Sequence, residues 1–338
     1  MTMYDKILGG LLGAAIGDAM GAATETRSLE QIKEKFGGLV TDFIAPPEDV
    51  FAHGFPVGSV TDDFSLAYCT AQSIVERGGT VDKVTAANAL LKWSETPYYV
   101  MAGPTTVAAV DRLRGIETPS RYDFLSVDNS KGSNGSAMKI SPAALVSGGD
   151  EKTAIQNAIT ICMPTHGNST ALSGACAVSA AIADALKENA NVYSMVQAGL
   201  RGAKAGEEVG ISIGKQLACP SVYKRIQLAV EIALSCGNDL EKCLKELTDI
   251  IGSGLSCAEA VPCAFGLLVF TGGNAMQSII GGVNIGNDTD TVATIVGSMA
   301  GTLQSVGAFK KEHMDLIDRV NGYDLSGLAY QLEKVSKK

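Results

Sequence analysis

Two groups of acidic residues, far apart in the chain, have the side chains that bind hard cations. The first is Thr61-Asp62-Asp63, which follows Gly58 and directly precedes a predicted helix. A helix N-terminus favours ionised carboxylates, and threonine and aspartate are also common helix caps. Capping accounts for one of these residues. It does not account for two adjacent carboxylates, which repel each other unless a cation lies between them.

The second group repeats this pattern at the start of another predicted helix. A glycine-rich turn ending at Asn287 is followed by Asp288-Thr289-Asp290-Thr291. The two aspartates lie where the backbone is still turning, so both can point at one position, although capping is again the alternative. Carboxylate and hydroxyl oxygens suit Mg²⁺, Mn²⁺ or Ca²⁺, whereas Zn²⁺ prefers His or Cys. We therefore expect the two groups to share one metal site.

Rows of small residues indicate the helices that position these acidic groups. Residues four apart lie on one face of a helix, and such a row forms a groove into which a neighbouring helix packs. An interior glycine costs a helix about 1 kcal/mol relative to alanine, so tight packing must compensate and these helices are expected to be central. The three rows are Gly9, Gly13, Gly17 and Gly21; Ala171, Ala175, Ser179 and Ala183; and Ala293, Gly297 and Gly301.

The remaining periodicity also predicts helices. Strand-like residues occur only in the short segment Leu39–Ile44, and turn residues concentrate in Ala45–Gly58, Arg114–Gly135 and Ser147–Asp150. We predict an all-α fold, a compact orthogonal bundle of many helices, in a single domain over residues 1–338. The further predicted helices are Phe64–Arg77, Lys83–Trp93, Thr105–Leu113, Lys152–Ile161, Val192–Ala205, Ser221–Ser235, Leu240–Ile251 and His313–Asn321.

Composition narrows the class of protein. The chain has 338 residues and a net charge of −9, which disfavours nucleic acid as a partner. The eight cysteines form no C-x-x-C pair and favour a reduced, cytoplasmic protein. The apolar N-terminus resembles a signal peptide, but Asp5 and Asp18 favour a buried first helix. The apolar run Ala260–Phe270 is too short to span a membrane, so no membrane association is expected.

Five motifs occur in an order and spacing that resemble the ADP-ribosylglycohydrolase family. The resemblance extends from the first predicted helix to Gly301, and the combined pattern is specific although its single pieces are not. The motifs are Gly17-Asp18-Ala19-Met20-Gly21-Ala22, Thr61-Asp62-Asp63, Asn134-Gly135-Ser136-Ala137-Met138-Lys139-Ile140-Ser141-Pro142, Thr165-His166, and Asn287-Asp288-Thr289-Asp290-Thr291.

The resemblance implies a fold, a cofactor and a ligand. It implies an all-α fold whose central cleft holds two Mg²⁺ or Mn²⁺ ions, with ADP-ribose-like ligands lying across them. It also implies that the loop of Asn134, Gly135, Ser136 and Met138 approaches a diphosphate through backbone N–H groups. His166 would bind phosphate or ribose, although a structural role at a helix start is the alternative. The metal ligands implied are Thr61, Asp62, Asp63, Asp288, Asp290 and Thr291.

The reaction expected is hydrolysis of a ribosyl glycosidic bond. Such cleavage develops oxocarbenium character at the anomeric carbon, and cations can fix the ribose diol and orient a water. The candidate catalytic residues are Asp62, Asp63, Asp290 and Glu25. In some members of the family a glutamate near the position of Glu25 gates the site or exchanges protons, and an exposed acid at a helix end is the alternative. Asp18 is expected to orient a loop or a ligand.

Three departures from the family pattern leave the substrate open. Phe64 stands where the family often has Thr or Ser, Asn287 where Gly is common, and Lys139 where Arg is common. The substrate implied is an ADP-ribosylated protein or a small molecule. The alternatives are hydrolysis of other N- or O-ribosides, a catalytically silent ADP-ribose-binding protein, and metal-dependent phosphoester hydrolysis.

Overall fold

The computed structural model describes residues 1–117 and 124–336, and this part of the chain is all-α, as predicted. Within these two ranges, four short 3₁₀ helices cover Pro97–Met101, Asn129–Lys131, Asn134–Ser136 and Val306–Ala308. The α-helices of the described residues are α1 Met3–Gly21, α2 Leu29–Phe36, α3 Asp62–Glu76, α4 Lys83–Trp93, α5 Pro104–Leu113, α6 Ser141–Leu145, α7 Glu151–His166, α8 Ser169–Ala185, α9 Val192–Ile213, α10 Val222–Ser235, α11 Leu240–Ile250, α12 Cys257–Phe270, α13 Ala275–Asn284, α14 Thr289–Gln304, α15 Lys311–Asn321 and α16 Leu325–Ser336.

The pair of helices α1 and α14 lies at the centre of the fold, with their backbones in direct contact. A Cβ atom added to Gly13 would lie 2.2 Å from the carbonyl oxygen of Gly297, and one added to Gly17 would lie 2.2 Å from that of Ala293. Two of the predicted small-residue rows therefore face each other along this contact. The contact also sets the position of the second acidic group, because α14 begins directly after Asp288.

The helix α8 is surrounded by other helices, and every one of its residues is buried. On the side of α7, the Ser179 hydroxyl donates a hydrogen bond of 2.8 Å to the carbonyl oxygen of Ala154. On the side of α9, a Cβ atom on Gly202 would lie 2.2 Å from a carbonyl oxygen of α8, and one on Gly206 would lie 2.3 Å away. The small-residue row of α8 is thus central as predicted, and α9 carries a second row that the sequence analysis overlooked.

Most predicted helices agree with the structure within a few residues at each end, and α4 agrees at both ends. The helix α7 runs past its predicted end through Pro164, and α9 is longer than expected. Helices α2, α6, α12, α13 and α16 were not predicted. Leu39–Ile44 forms no strand, because both backbone polar groups of Val40 bind the side chain of Asn284 at 2.8 Å. Within the predicted loop Arg114–Gly135, positions 118–123 lie outside the described residues.

One apolar core draws on elements from both ends of the chain, from Ile7 to Leu332. The predicted first helix is buried over nearly its whole length, including Asp18. All eight cysteines are free thiols, and seven of them are buried. Within the described residues no helix combines the length and the low charge that crossing a membrane requires.

Candidate metal centre and active site

The side chain of Asp18, on α1, holds the first acidic group in place. Its carboxylate accepts hydrogen bonds from the backbone N–H of Thr61 at 3.0 Å and from that of Phe64 at 2.8 Å. These two groups belong to the first turn of α3, where backbone donors lack partners within the helix. Asp18 therefore fixes the start of α3, and with it the direction of Asp62 and Asp63.

The second acidic group is held by a pair of backbone hydrogen bonds. The N–H of Asn287 donates to the carbonyl oxygen of Arg27 at 2.8 Å, and the N–H of Thr26 donates to the carbonyl oxygen of Asn287 at 2.7 Å. Asn287 adopts a left-handed conformation with φ of 62°, which asparagine tolerates better than most residues other than glycine. The pairing brings Glu25 beside Asp288, and the backbone conformation explains why asparagine can replace glycine here.

Carboxylates from three separate segments meet in one cleft. Oxygen atoms of Glu25, Asp288 and Asp290 all lie within 4.8 Å of one another. The first acidic group lies near the second, because the charge of Asp288 raises the pKa of Asp63 and the side chain of Thr291 lowers it. The structure thus places Asp288 and Asp290 in one cluster with Glu25, and the charge of Asp288 acts on both Asp62 and Asp63.

The electrostatics of the cleft show an excess of buried negative charge. Burial, followed by repulsion from Asp288, raises the pKa of Glu25 to about 8. Burial, followed by the charge of Asp18, raises the pKa of Asp62 to about 8. Burial also raises the pKa of Asp63 and of Asp290 well above their usual range. A bound cation would remove this repulsion and favour the ionised forms.

Two carboxylate oxygens in the cleft lack any partner. The Oδ2 atom of Asp63 and the Oδ1 atom of Asp290 are buried without a hydrogen bond among the described residues. A buried polar atom without a partner costs about 1–3 kcal/mol, so these oxygens need an external ligand. Hard carboxylate and hydroxyl oxygens suit Mg²⁺ or Mn²⁺, and the donor set therefore fits divalent cations.

The loop predicted to bind substrate lies against the second acidic group. The Asn134 amide donates a hydrogen bond of 2.6 Å to Asp288. Ser136 is fully buried and its hydroxyl donates to the carbonyl oxygen of Ala171 at 2.9 Å, while Met138 is also buried. Gly135 is half-buried. The side chains of Asn134 and Ser136 thus hold the loop in place through hydrogen bonds. That the loop backbone binds substrate stays a prediction.

His166 lies behind this loop with both ring nitrogens occupied. Nδ1 is 2.8 Å from the Thr165 hydroxyl and Nε2 is 3.0 Å from the Ser133 hydroxyl. The ring is buried, and burial lowers its pKa well below the usual range, so it is neutral. The ring therefore faces a hydroxyl group on each side, and the predicted contact with a ligand remains a prediction.

Two residues at the site were missed by the sequence analysis. Arg27 is buried, and its guanidinium donates to the backbone oxygen of Glu25 at 3.1 Å and forms an ion pair of 2.5 Å with Asp49. Ser133 contacts His166, as described above. The position of Ser133 directly before the Asn134 motif is a signal in the sequence, whereas no local pattern marks Arg27.

Phe64, which stands where the family often has Thr or Ser, packs into the core. Its ring is fully buried in the core and lies 6.1 Å from the ring of Tyr323 and 6.5 Å from that of Tyr68. Lys139 is also fully buried, and its ammonium donates to the Thr165 hydroxyl at 2.9 Å.

Comparisons with known proteins agree over the whole chain. A family model described as ADP-ribosylglycohydrolase matches residues 1–338. The chain is 28% identical to the uncharacterized protein YegU of Escherichia coli (strain K12), over 98% of this chain and 97% of that protein. It is 25% identical to the ADP-ribosylarginine hydrolase Tri1 of Pseudomonas putida (strain GB-1), over 93% of this chain and 74% of that protein. A solved structure, an ADP-ribosylglycohydrolase-related protein complex, shares the fold with a TM-score of 0.67 at 22% identity, covering 99% of both chains.

Proposed function

The chain belongs to the ADP-ribosylglycohydrolase family and is a glycosidase-type hydrolase, and from this premise we propose that it removes ADP-ribosyl groups with the help of two divalent cations. The observation that carries the proposal is the convergence of Glu25, Asp288 and Asp290 oxygens within 4.8 Å. We also infer a single domain over residues 1–338, because the apolar core includes residues from both ends of the chain.

The cations are assigned to the two acidic groups. The buried oxygens of Asp63 and Asp290 that lack hydrogen bonds support this assignment. When bound, Mg²⁺ or Mn²⁺ supplies Lewis-acid stabilisation and orients the hydroxyl groups of the ribose. The residues that would hold the ions are Thr61, Asp62, Asp63, Asp288, Asp290 and Thr291.

Glu25 is the residue we assign to proton exchange with the substrate. It is half-exposed, whereas Asp63, Asp288 and Asp290 are buried, so its carboxyl can meet a ligand that enters the cleft. Burial raises its pKa to about 8, and a general acid is most effective when its pKa lies near the working pH. Arg27 orients Glu25, since it binds the backbone oxygen of that residue.

The substrate we propose is an ADP-ribosyl group on a protein side chain or on a small molecule. One relative is named an ADP-ribosylarginine hydrolase, which makes ADP-ribosyl-arginine the first compound to assay. The half-buried Gly135 next to Asn134 supports an approach of the diphosphate to the loop backbone, where N–H groups are suitable donors to anionic oxygens.

The proposal is tested by incubating the protein and Mg²⁺ or Mn²⁺ with ADP-ribosyl-arginine, ADP-ribosyl-serine, O-acetyl-ADP-ribose and simple ribonucleosides. We expect release of free ADP-ribose from at least one ADP-ribosyl compound, measured by chromatography, and its loss in Asp290→Ala. Turnover of ribonucleosides alone would favour the riboside alternative. Release of AMP or inorganic phosphate would favour phosphoester hydrolysis. Binding of ADP-ribose without any turnover would contradict the proposed activity.

A further inference from the structure

A continuous series of side-chain hydrogen bonds runs from the buried Lys139 ammonium to Ser133, the residue directly before Asn134. The Lys139 ammonium donates to the Thr165 hydroxyl at 2.9 Å. That hydroxyl lies 2.8 Å from His166 Nδ1, and His166 Nε2 lies 3.0 Å from the Ser133 hydroxyl. Lys139 and His166 are buried, whereas Ser133 is half-buried. This series of hydrogen bonds therefore begins in the core and ends at a half-buried residue.

The donors in this chain all point the same way. An ammonium has protons to donate and no lone pair, so Thr165 accepts from Lys139. The proton of the Thr165 hydroxyl then has two acceptors within reach, His166 Nδ1 at 2.8 Å and the carbonyl oxygen of Cys162 at 3.3 Å. The nearer acceptor is the ring nitrogen. Because burial keeps His166 neutral, its one ring proton is then on Nε2, from which it is donated to Ser133.

Ser133, the last residue of this hydrogen-bond series, is the neighbour in sequence of a residue that binds the acidic cleft. Ser133 directly precedes Asn134, whose amide binds Asp288 at 2.6 Å. Since the Ser133 oxygen accepts from His166, its own proton is available to a ligand. Hydrogen bonds aligned in series polarise one another, so the positive charge of Lys139 strengthens this last donor.

We propose that the Ser133 hydroxyl donates a hydrogen bond to an anionic phosphate oxygen of the ADP-ribosyl substrate, and that Lys139 and Thr165 are positioning residues that set its polarity. This inference rests on the proposed function. The Ser133 hydroxyl would be a neutral donor for a dianionic ligand in a cleft lined by carboxylates. The Lys139 ammonium is buried and cannot itself reach the ligand.

The contact with the ligand is tested by titrating ADP-ribose calorimetrically in the presence of Mg²⁺. We expect Ser133→Ala and Thr165→Val each to weaken binding about tenfold, as for loss of a hydrogen bond to a charged group. The double variant should be no weaker than the single ones, because both act through one hydroxyl. Thr165→Ser keeps the hydroxyl, so this variant should bind ADP-ribose as tightly as the wild type. Ser179→Ala, which removes a buried hydroxyl between α7 and α8, is the matched control.

Kinetics separate this role from a general loss of structure. A phosphate contact remote from the reacting carbon is made equally in the ground and transition states, so Ser133→Ala should raise KM and leave kcat within about twofold. Unchanged KM and unchanged ADP-ribose affinity in Ser133→Ala, with active wild-type protein, would overturn this inference and leave the proposed function intact.

The direction of donation along the series of hydrogen bonds from Lys139 to Ser133 can be tested without any substrate. Nitrogen-15 chemical shifts of His166 should show a protonated Nε2 and an unprotonated Nδ1 in the wild type, and a changed tautomer balance in Thr165→Val. A protonated Nδ1 in the wild type would overturn the proposed polarity. A wild type that binds no ADP-ribose would overturn the proposed function together with the role of Ser133, while the nitrogen shifts would still decide the direction of the chain.

Discussion

At the scale of single residues, the carboxylates proposed to bind cations should lower the stability of the metal-free protein. The Oδ1 atom of Asp290 is buried and has no hydrogen-bond partner in the described part of the chain, and the charges of Glu25 and Asp63 raise the pKa of this residue. In Asp290→Asn the amide can donate to a neighbouring carboxylate, so we expect the metal-free variant to be more stable by on the order of 1–3 kcal/mol. Turnover and bound metal should both fall below detection. Chemical denaturation and elemental analysis measure the two effects, and a less stable metal-free variant would contradict the prediction.

The titration of Glu25 gives the stability of the metal-free protein a definite dependence on pH. Burial and repulsion from Asp288 raise its pKa from 4.5 to about 8, so between these values the folded state holds a proton that the unfolded chain has released. Stability is then present at low pH and is lost as the pH rises towards 8. Thermal unfolding at several pH values in a chelator should show Tm falling over this range.

The same measurement on Glu25→Gln supplies the control for this dependence. The neutral amide cannot titrate, so the fall of Tm with rising pH should be smaller than in the wild type. Saturating Mn²⁺ should also reduce the fall, because the cation favours the ionised carboxylates. A Tm that rises steadily from acidic to neutral pH in the metal-free wild type would show that the cleft carboxylates are ionised without a cation.

At the scale of elements, the contact between α1 and α14 determines whether the second acidic group is in place. A Cβ atom on Gly17 would lie 2.2 Å from the carbonyl oxygen of Ala293, within a backbone contact that has no room to relax. We expect Gly17→Ala to lower stability by about 1–3 kcal/mol and to weaken Mn²⁺ binding, since α14 carries Asp290. Gly307→Ala is the matched control, because the nearest atom to its Cβ is 3.9 Å away. Equal unfolding free energies for the two variants would contradict this.

The helices that could be predicted are those whose signal lies within their own sequence. The glycine row of α1 and the row starting at Ala293 are periodic at the helical repeat, and so they identified these two helices as central, whereas their contact with each other was not predicted. The helix α7 was predicted to end at Ile161, but it continues to His166. A proline normally breaks a helix, and here Pro164 lies in the last turn. Gly202 and Gly206 are also four residues apart, so the sequence contained the same signal for α9, but this row was not predicted.

At the scale of the whole molecule, the acidic motifs could be read from the sequence but the cleft that joins them could not. Asp62 and Asp288 lie in short local patterns. Their meeting depends on Asp18, which caps α3 from another helix, and on the pairing of Arg27 with Asn287. Contacts between segments so far apart leave no local periodicity, and for the same reason the bond between Ser133 and His166 was not predicted.

Because the cleft joins segments near both ends of the chain, cation binding should stabilise the whole fold. The carboxylates of Glu25, Asp63, Asp288 and Asp290 come together only in the folded state, so a cation binds the native protein and not the unfolded chain. A ligand with this preference adds about 2.7 kcal/mol at a hundredfold excess over its Kd. Calorimetric unfolding in chelator and in Mn²⁺ should show a higher Tm with the cation for the wild type and for Gly307→Ala, but not for Asp290→Asn. Equal Tm values in chelator and in Mn²⁺ for the wild type would mean that the acidic groups hold no cation, and the proposed activity would lose its cofactor.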